Sequence, residues 1–188
     1  MKVLKRVLIA LLFVFVLFSG VFFLYSGFGK RPDEIKSIAH RGYSIEAPEN
    51  TLPAYRLAKE KGFNYGECDV AFTKDGVAVL LHDSSIDRTS NGEGEIVDLT
   101  YEELLQYDFG SWFSNDYKGL KIPTFEEFLD LCKEISLKPY IELKASGSYT
   151  KEQITSLCIR AEHHCGKVYG RSGAAGRKTP RLLFYVNQ

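Results

Sequence analysis

Apolar positions are distributed unevenly along the 188-residue chain. Residues 7–28 read VLIALLFVFVLFSGVFFLYSGF, 22 positions without a charge. At about 1.5 Å per residue such a run, as a helix, spans a hydrocarbon core of roughly 30 Å. A cleaved leader has an apolar core of about 7–15 residues and then a small-x-small site. Here Ser19-Gly20 is followed by five further apolar or aromatic residues. An uncleaved transmembrane anchor is therefore expected over residues 1–30. Lys2, Lys5 and Arg6 precede the run, so the positive-inside bias leaves the N-terminus in the cytoplasm and the rest of a single-pass cell-membrane protein outside it.

Beyond a polar linker at 31–35 the apolar residues recur at strand and helix spacing. A short strand is expected over 37–39, ending at His40-Arg41-Gly42. A helix follows with Asn50 or Thr51 as cap, Pro53 in its first turn and Gly62 as its stop. Strands are expected over 64–70 and 77–81, with Asp75-Gly76 as the turn between them. Too few residues separate Val70 from Val77 for a helical crossover of about a dozen, so an extended return to the bottom of the sheet is expected there. Thr100-x-x-Glu103, Thr124-x-x-Glu127 and Thr150-x-x-Gln153 are three capping boxes, each opening a helix. Phe125, Phe128, Leu129, Cys132 and Ile135 line one face of the middle one. A fourth strand covers 138–143, and 182–186 is a candidate for one more. Strands alternating with helices indicate a mostly parallel α/β sheet.

Composition narrows the function. With 24 basic and 24 acidic side chains the net charge is zero, and nothing points to nucleic acid as a partner. At 45% apolar and 13% aromatic residues the chain is no disordered segment. The four cysteines form no CxxC motif; Cys68 and Cys132 fall at core positions, and buried unpaired thiols fit the pattern better than a Cys158–Cys165 disulfide.

The chemistry lies in where the charged residues fall on the strands. Glu67 and Asp69 are two apart on one strand and share a face. Glu142 and Lys144 repeat that spacing on the fourth strand, while His40 and His82 end the first and third. Charge on a buried parallel strand is costly unless it is paired or binds metal. The C-terminal edge of such a sheet is also where α/β proteins place their sites. Three carboxylates (Glu67, Asp69, Glu142) suit a hard divalent cation, Mg²⁺ or Ca²⁺. The two histidines are better used as acid and base than as zinc ligands. Arg41 and Lys144 supply positive charge for an anionic group, most naturally a phosphate.

Six motifs occur in order: Ile38-Ala39-His40-Arg41-Gly42, Ala47-Pro48-Glu49-Asn50-Thr51, Glu67-x-Asp69-Val70, Thr73-Lys74-Asp75-Gly76, His82-Asp83 and Asp87-Arg88-Thr89-x-Asn91-Gly92. Pro123-Thr124-Phe125 and Ile141-Glu142-Leu143-Lys144 continue them. Over about residues 35–146 the chain resembles the glycerophosphodiester phosphodiesterase family. The resemblance implies a TIM-type (β/α)8 barrel with an insertion after the third strand, here about 84–122. It implies metal-dependent hydrolysis of glycerophosphodiesters, a small-molecule substrate class, to sn-glycerol 3-phosphate and an alcohol. In the roles it implies, His40 and His82 are the acid–base pair, and Glu67, Asp69 and Glu142 hold the metal. Arg41 and Lys144 contact phosphate, and Glu49 and Asn50 brace the first loop. A non-catalytic glycerophosphodiester-binding protein and a lysophospholipid-directed phosphodiesterase of the same fold are the alternatives.

The C-terminal part departs from that pattern. A (β/α)8 barrel takes about 250 residues, and the region expected for the domain, 36–165, is much shorter. After Glu162 no acidic residue occurs, and residues 166–188 carry Lys167, Arg171, Arg177, Lys178 and Arg181 without helical or strand period. The expectation is a C-terminally truncated, incomplete barrel with an atypical basic tail, an exposed edge on its fourth strand and impaired activity.

Overall fold

The computed structural model describes residues 2–27, 37–144, 149–165 and 184–187. The chain divides into two compact units, Met1–Ile35 and Lys36–Gln188. In the first, α1 (Lys2–Gly27) is one continuous helix, with Leu11, Phe13, Phe15 and Phe18 exposed. Among the described residues no helix is long and apolar enough to cross a membrane. The structure thus adds to the expected anchor only its helical conformation. The linker at 31–35 lies outside the described residues.

The second unit runs β1 (Ile38–Ala39), α2 (Leu52–Glu60), β2 (Tyr65–Phe72), β3 (Ala78–Leu80), α3 (Tyr101–Leu104), α4 (Phe125–Glu134), β4 (Lys138–Lys144), α5 (Lys151–Cys165) and β5 (Phe184–Asn187). Four strands form a parallel sheet in the order β1-β2-β4-β5. The helix starts follow from local chemistry. Thr100 and Thr124 each accept from the backbone N–H three residues on, while Glu103 and Glu127 reach back to the cap backbone. Thr150 and Gln153 exchange the same pair of bonds ahead of α5. At α2 the expected side-chain cap is absent. Thr51 is the cap residue without a capping bond; its hydroxyl donates to Pro48 O at 2.6 Å, and Asn50 is engaged in the site described below.

Helices and strands bury one main core. Phe125, Phe128, Leu129, Leu131 and Cys132 of α4 pack with Cys68, Val70, Ile141 and Leu143 of the sheet and with Leu157 and Ala161 of α5. The Tyr55 and Phe128 rings pack tilted to one another, centroids 4.5 Å apart. Cys68 and Cys132 are buried in this core, as their apolar positions imply, and Cys158 is half-buried on α5. The segment 84–122 builds a second cluster from Ile86, Ile96, Leu104, Phe109 and Ile122 against Val79 and Leu81.

Two expectations about the strands are corrected. β3 does not return to the bottom of the sheet. It pairs antiparallel with the distal half of β2, Val70 opposite Leu80 and Phe72 opposite Ala78, in a hairpin closed by Thr73 N–H on Val77 O at 3.0 Å. Six intervening residues suffice for a hairpin, whereas a parallel return needs a crossover. The outer edge of β4 is also not open. β5, from the basic tail, pairs with it in parallel, Ile141 opposite Phe184 through Lys144 opposite Asn187.

Candidate active site

The parallel pairing of β2 with β4 ends at Asp69 opposite Glu142. Side chains alternate along a strand, so Cys68 and Val70 enter the helix-covered core while Glu67 and Asp69 occupy the other face. Glu67, Asp69 and Glu142 bring one carboxylate oxygen each within 4.8 Å of the others. Glu67 and Asp69 are buried and Glu142 is half-buried. Burial and the neighbouring Asp69 charge push the Glu67 carboxyl up to about 7, against the Arg41 backbone N–H bond that favours its ionised form. Three carboxylates held this close repel one another, and a cation would relieve that repulsion. Among the described residues, Glu67 Oε1 is moreover buried without a hydrogen-bond partner. The donor set therefore fits a divalent ion, and oxygen-only ligands favour Mg²⁺ or Ca²⁺.

The loop after β1 wraps the carboxylates. Arg41 and Asn50 both adopt φ 56°, an uncommon conformation for residues with a side chain. The strain is held by cross-links. Asn50 N–H donates to Arg41 O at 3.0 Å, and Arg41 N–H donates to Glu67 Oε2 at 2.8 Å. Asn50 Nδ2 donates to Asp69 Oδ2 at 3.0 Å and its Oδ1 accepts from Tyr55 OH at 3.0 Å. Arg41 Nε sits 3.1 Å from Asp69 Oδ2, close enough for an ion pair but not aligned as a hydrogen bond. Gly42, at φ 79°, allows the loop to lie against α2: a Cβ there would stand 2.7 Å from that of Ala54.

His40, directly after β1, places Nε2 4.0 Å from Glu67 Oε2 with most of its ring exposed. Partial desolvation and the Arg41 charge hold it below the ordinary histidine value, opposed by Asp69 and Glu142. His82 follows β3, and the antiparallel course of that strand is what brings it here. Leu81 N–H donates to Asp69 O at 3.1 Å, so the chain beyond β3 returns to the level of the carboxylates. His82 Nδ1 is 2.6 Å from Asp83 Oδ1. Arg88, from the 84–122 segment, donates to Asp83 Oδ2 at 2.6 Å and to both oxygens of Glu49 at 2.8 Å. Burial would raise the Glu49 carboxyl, but the Arg88 and Arg41 guanidiniums hold it below its usual value.

The structure thus brings together eight of the nine candidates read from the sequence: His40, Arg41, Glu49, Asn50, Glu67, Asp69, His82 and Glu142. Lys144 ends β4, but its side chain lies outside the described residues. Asp83, Arg88 and Tyr55 carry contacts to the site that the sequence reading assigned to no role. For Asp83 the adjacency to His82 was the available signal; for Arg88 and Tyr55 only the fold reveals the partner.

The chain is similar to known proteins over most of its length. The chain is 39% identical over 154 residues to a glycerophosphodiester phosphodiesterase of Bacillus subtilis, a match covering 78% of this chain and 51% of that one. It is 38% identical over 130 residues to human glycerophosphodiester phosphodiesterase 1, covering 68% of this chain and 39% of the relative. The chain therefore spans about half or less of the length of these relatives. Among solved structures, an Oleispira antarctica phosphodiesterase in complex with the product sn-glycerol-3-phosphate superposes with a TM-score of 0.64 at 36% identity, over 68% of this chain and 51% of that one. A family model matches residues 40–173, a stretch that includes all nine candidate positions, and the chain belongs to the glycerophosphoryl diester phosphodiesterase family.

Proposed function

We propose that this chain carries the catalytic residues of a metal-dependent phosphodiesterase that hydrolyses glycerophosphodiesters to sn-glycerol 3-phosphate and an alcohol. The observation that carries the reading is the convergence of Glu67, Asp69 and Glu142 within 4.8 Å, flanked by His40 and His82. A phosphodiester needs its non-bridging charge neutralised, its attacking hydroxyl deprotonated and its leaving alcohol protonated. A divalent ion on the three carboxylates supplies Lewis-acid stabilisation of phosphoryl oxygens when bound. Arg41, anchored by Glu49 and Asp69, adds fixed positive charge, and Lys144 adds more. His40, held below its ordinary value, is neutral at pH 7 and suited to accept the proton of the attacking hydroxyl. His82, with Nδ1 turned to Asp83, is suited to return a proton to the leaving alcohol.

The uncharged run at 7–28 supports a single-pass membrane position with the N-terminus cytoplasmic and the site outside. Incubation of the chain with glycerophosphocholine and either Mg²⁺ or Ca²⁺, followed by assay of sn-glycerol 3-phosphate, tests the activity. Release of that product supports the reading. Cleavage of lysophosphatidylcholine in its place reassigns the substrate, and binding without hydrolysis makes the chain a non-catalytic binder.

A further inference from the structure

A continuous chain of charge-assisted contacts runs from one histidine to the carboxylate cluster. It starts at His82 Nδ1 and passes through Asp83, Arg88, Glu49 and Arg41 to Asp69 and Glu67. Together the links join four parts of the fold. His82 and Asp83 follow β3, Arg88 comes from the 84–122 segment, Glu49 and Arg41 from the first loop, and the last two residues from β2. Arg88 uses Nε, Nη1 and Nη2 at once, one on Asp83 and two on Glu49. A lysine ammonium, a point charge on a flexible stem, does not reproduce that fork.

We propose that Asp83 and Arg88 are positioning residues of this site, Asp83 setting the tautomer and orientation of the His82 ring and Arg88 locking that carboxylate to the loop that grips the metal-ligand face. The proposal rests on the phosphodiesterase reading for its catalytic consequence, but its structural content stands on the contacts alone. A neutral imidazole carries one proton, on either nitrogen. An anionic acceptor 2.6 Å from Nδ1 places the proton there and leaves Nε2 as the nitrogen that exchanges protons with substrate. The same device orients catalytic histidines on unrelated folds. Arg88 contributes by balancing two carboxylates with one cation. Without it Asp83 and Glu49 lose their shared partner, and the 84–122 segment loses its tie to the first loop.

The test uses the full chain in detergent with the Asp83→Ala, Asp83→Asn and Arg88→Lys variants. Nitrogen-15 NMR of the histidine rings, with the His82 signals identified by their loss in His82→Gln, reads the tautomer directly. Wild type is expected to show His82 protonated at Nδ1, and Asp83→Ala to shift it towards Nε2. In glycerophosphocholine hydrolysis, Asp83→Ala is expected to lower kcat by about 10²-fold, the scale of an about 1 Å misplacement, with little change in KM. Arg88→Lys is expected to fall between that variant and wild type. A purely structural tie would lower the folded fraction without moving the tautomer. Should Asp83→Ala not fold, Asp83→Asn, of the same shape, carries the kinetic arm. An unchanged His82 tautomer in Asp83→Ala, or wild-type kcat in Arg88→Lys, overturns the proposal. Absence of hydrolysis by the wild type defeats the phosphodiesterase reading alone, and the tautomer comparison still decides this one.

Discussion

Replacing Glu67 by glutamine should stabilise the metal-free protein while removing its capacity to hold metal. The Glu67 carboxyl moves from 4.5 in its ordinary state to about 7 in the fold. At about 1.4 kcal/mol per pH unit, its ionisation costs the folded state about 3 kcal/mol. Because the folded value is raised, the native state holds the proton through a range where the unfolded chain has lost it. The associated stability is present below about pH 4.5 and disappears as the pH rises through about 7. Glutamine resembles the protonated acid. Its oxygen can still accept the Arg41 N–H, and its amide can donate towards the other carboxylates. The variant and the wild type should therefore be nearly equal in stability near pH 4.5, and the variant more stable by about 3 kcal/mol at pH 8. Urea unfolding in a chelating buffer, followed by the fluorescence of Trp112, the single tryptophan, measures the gap at both pH values. Comparing the two proteins at each pH cancels the opposite contributions of Glu49 and Asp83, whose carboxyls lie below their usual values. Adding Mg²⁺ or Ca²⁺ should reverse the order, since only the wild type keeps all three ligands. A variant less stable than wild type at pH 8 in chelator, or a gap that does not change with pH, would refute the argument.

His40→Ala and His82→Ala should each lower turnover by about 10²–10⁴, the usual range for an acid or base, with metal binding by calorimetry retained; normal turnover in either rejects that histidine's role. Gly42→Ala should destabilise the chain by about 1–3 kcal/mol, the cost of overpacking, because its new Cβ would meet Ala54 at 2.7 Å in a left-handed conformation; an unchanged denaturation midpoint would argue against that loop geometry. Protease added to intact cells should cut the domain after Lys30 and release it from the membrane; recovery of a soluble, N-terminally trimmed chain from the medium would show that residues 1–30 are a cleaved leader.

What the sequence determined about this protein is whatever depends on neighbours along the chain. The capping boxes at Thr100, Thr124 and Thr150 form as read because both partners lie within four residues of each other. The buried face of α4 and the shared face of Glu67 and Asp69 follow from the periods of helix and strand. His40, Arg41, Glu67, Asp69 and Glu142 converge for a related reason: they lie on or directly after the parallel strands β1, β2 and β4, whose ends meet at one edge of the sheet. The tertiary structure decided the rest. An apolar run such as 77–81 carries no sign of its direction, and only the hairpin pairing with β2 shows that β3 runs backwards, which sets Leu81 against Asp69 and brings His82 next after it. Asn50 could have capped α2 by local chemistry, yet its side chain is taken by Asp69 and Tyr55. Glu49 and Arg88 stand 39 residues apart, and nothing along the chain pairs them. Their pairing exists because the 84–122 segment buries its own apolar cluster against β3, and that burial, a property of surfaces distant in sequence, places the guanidinium where two carboxylates meet.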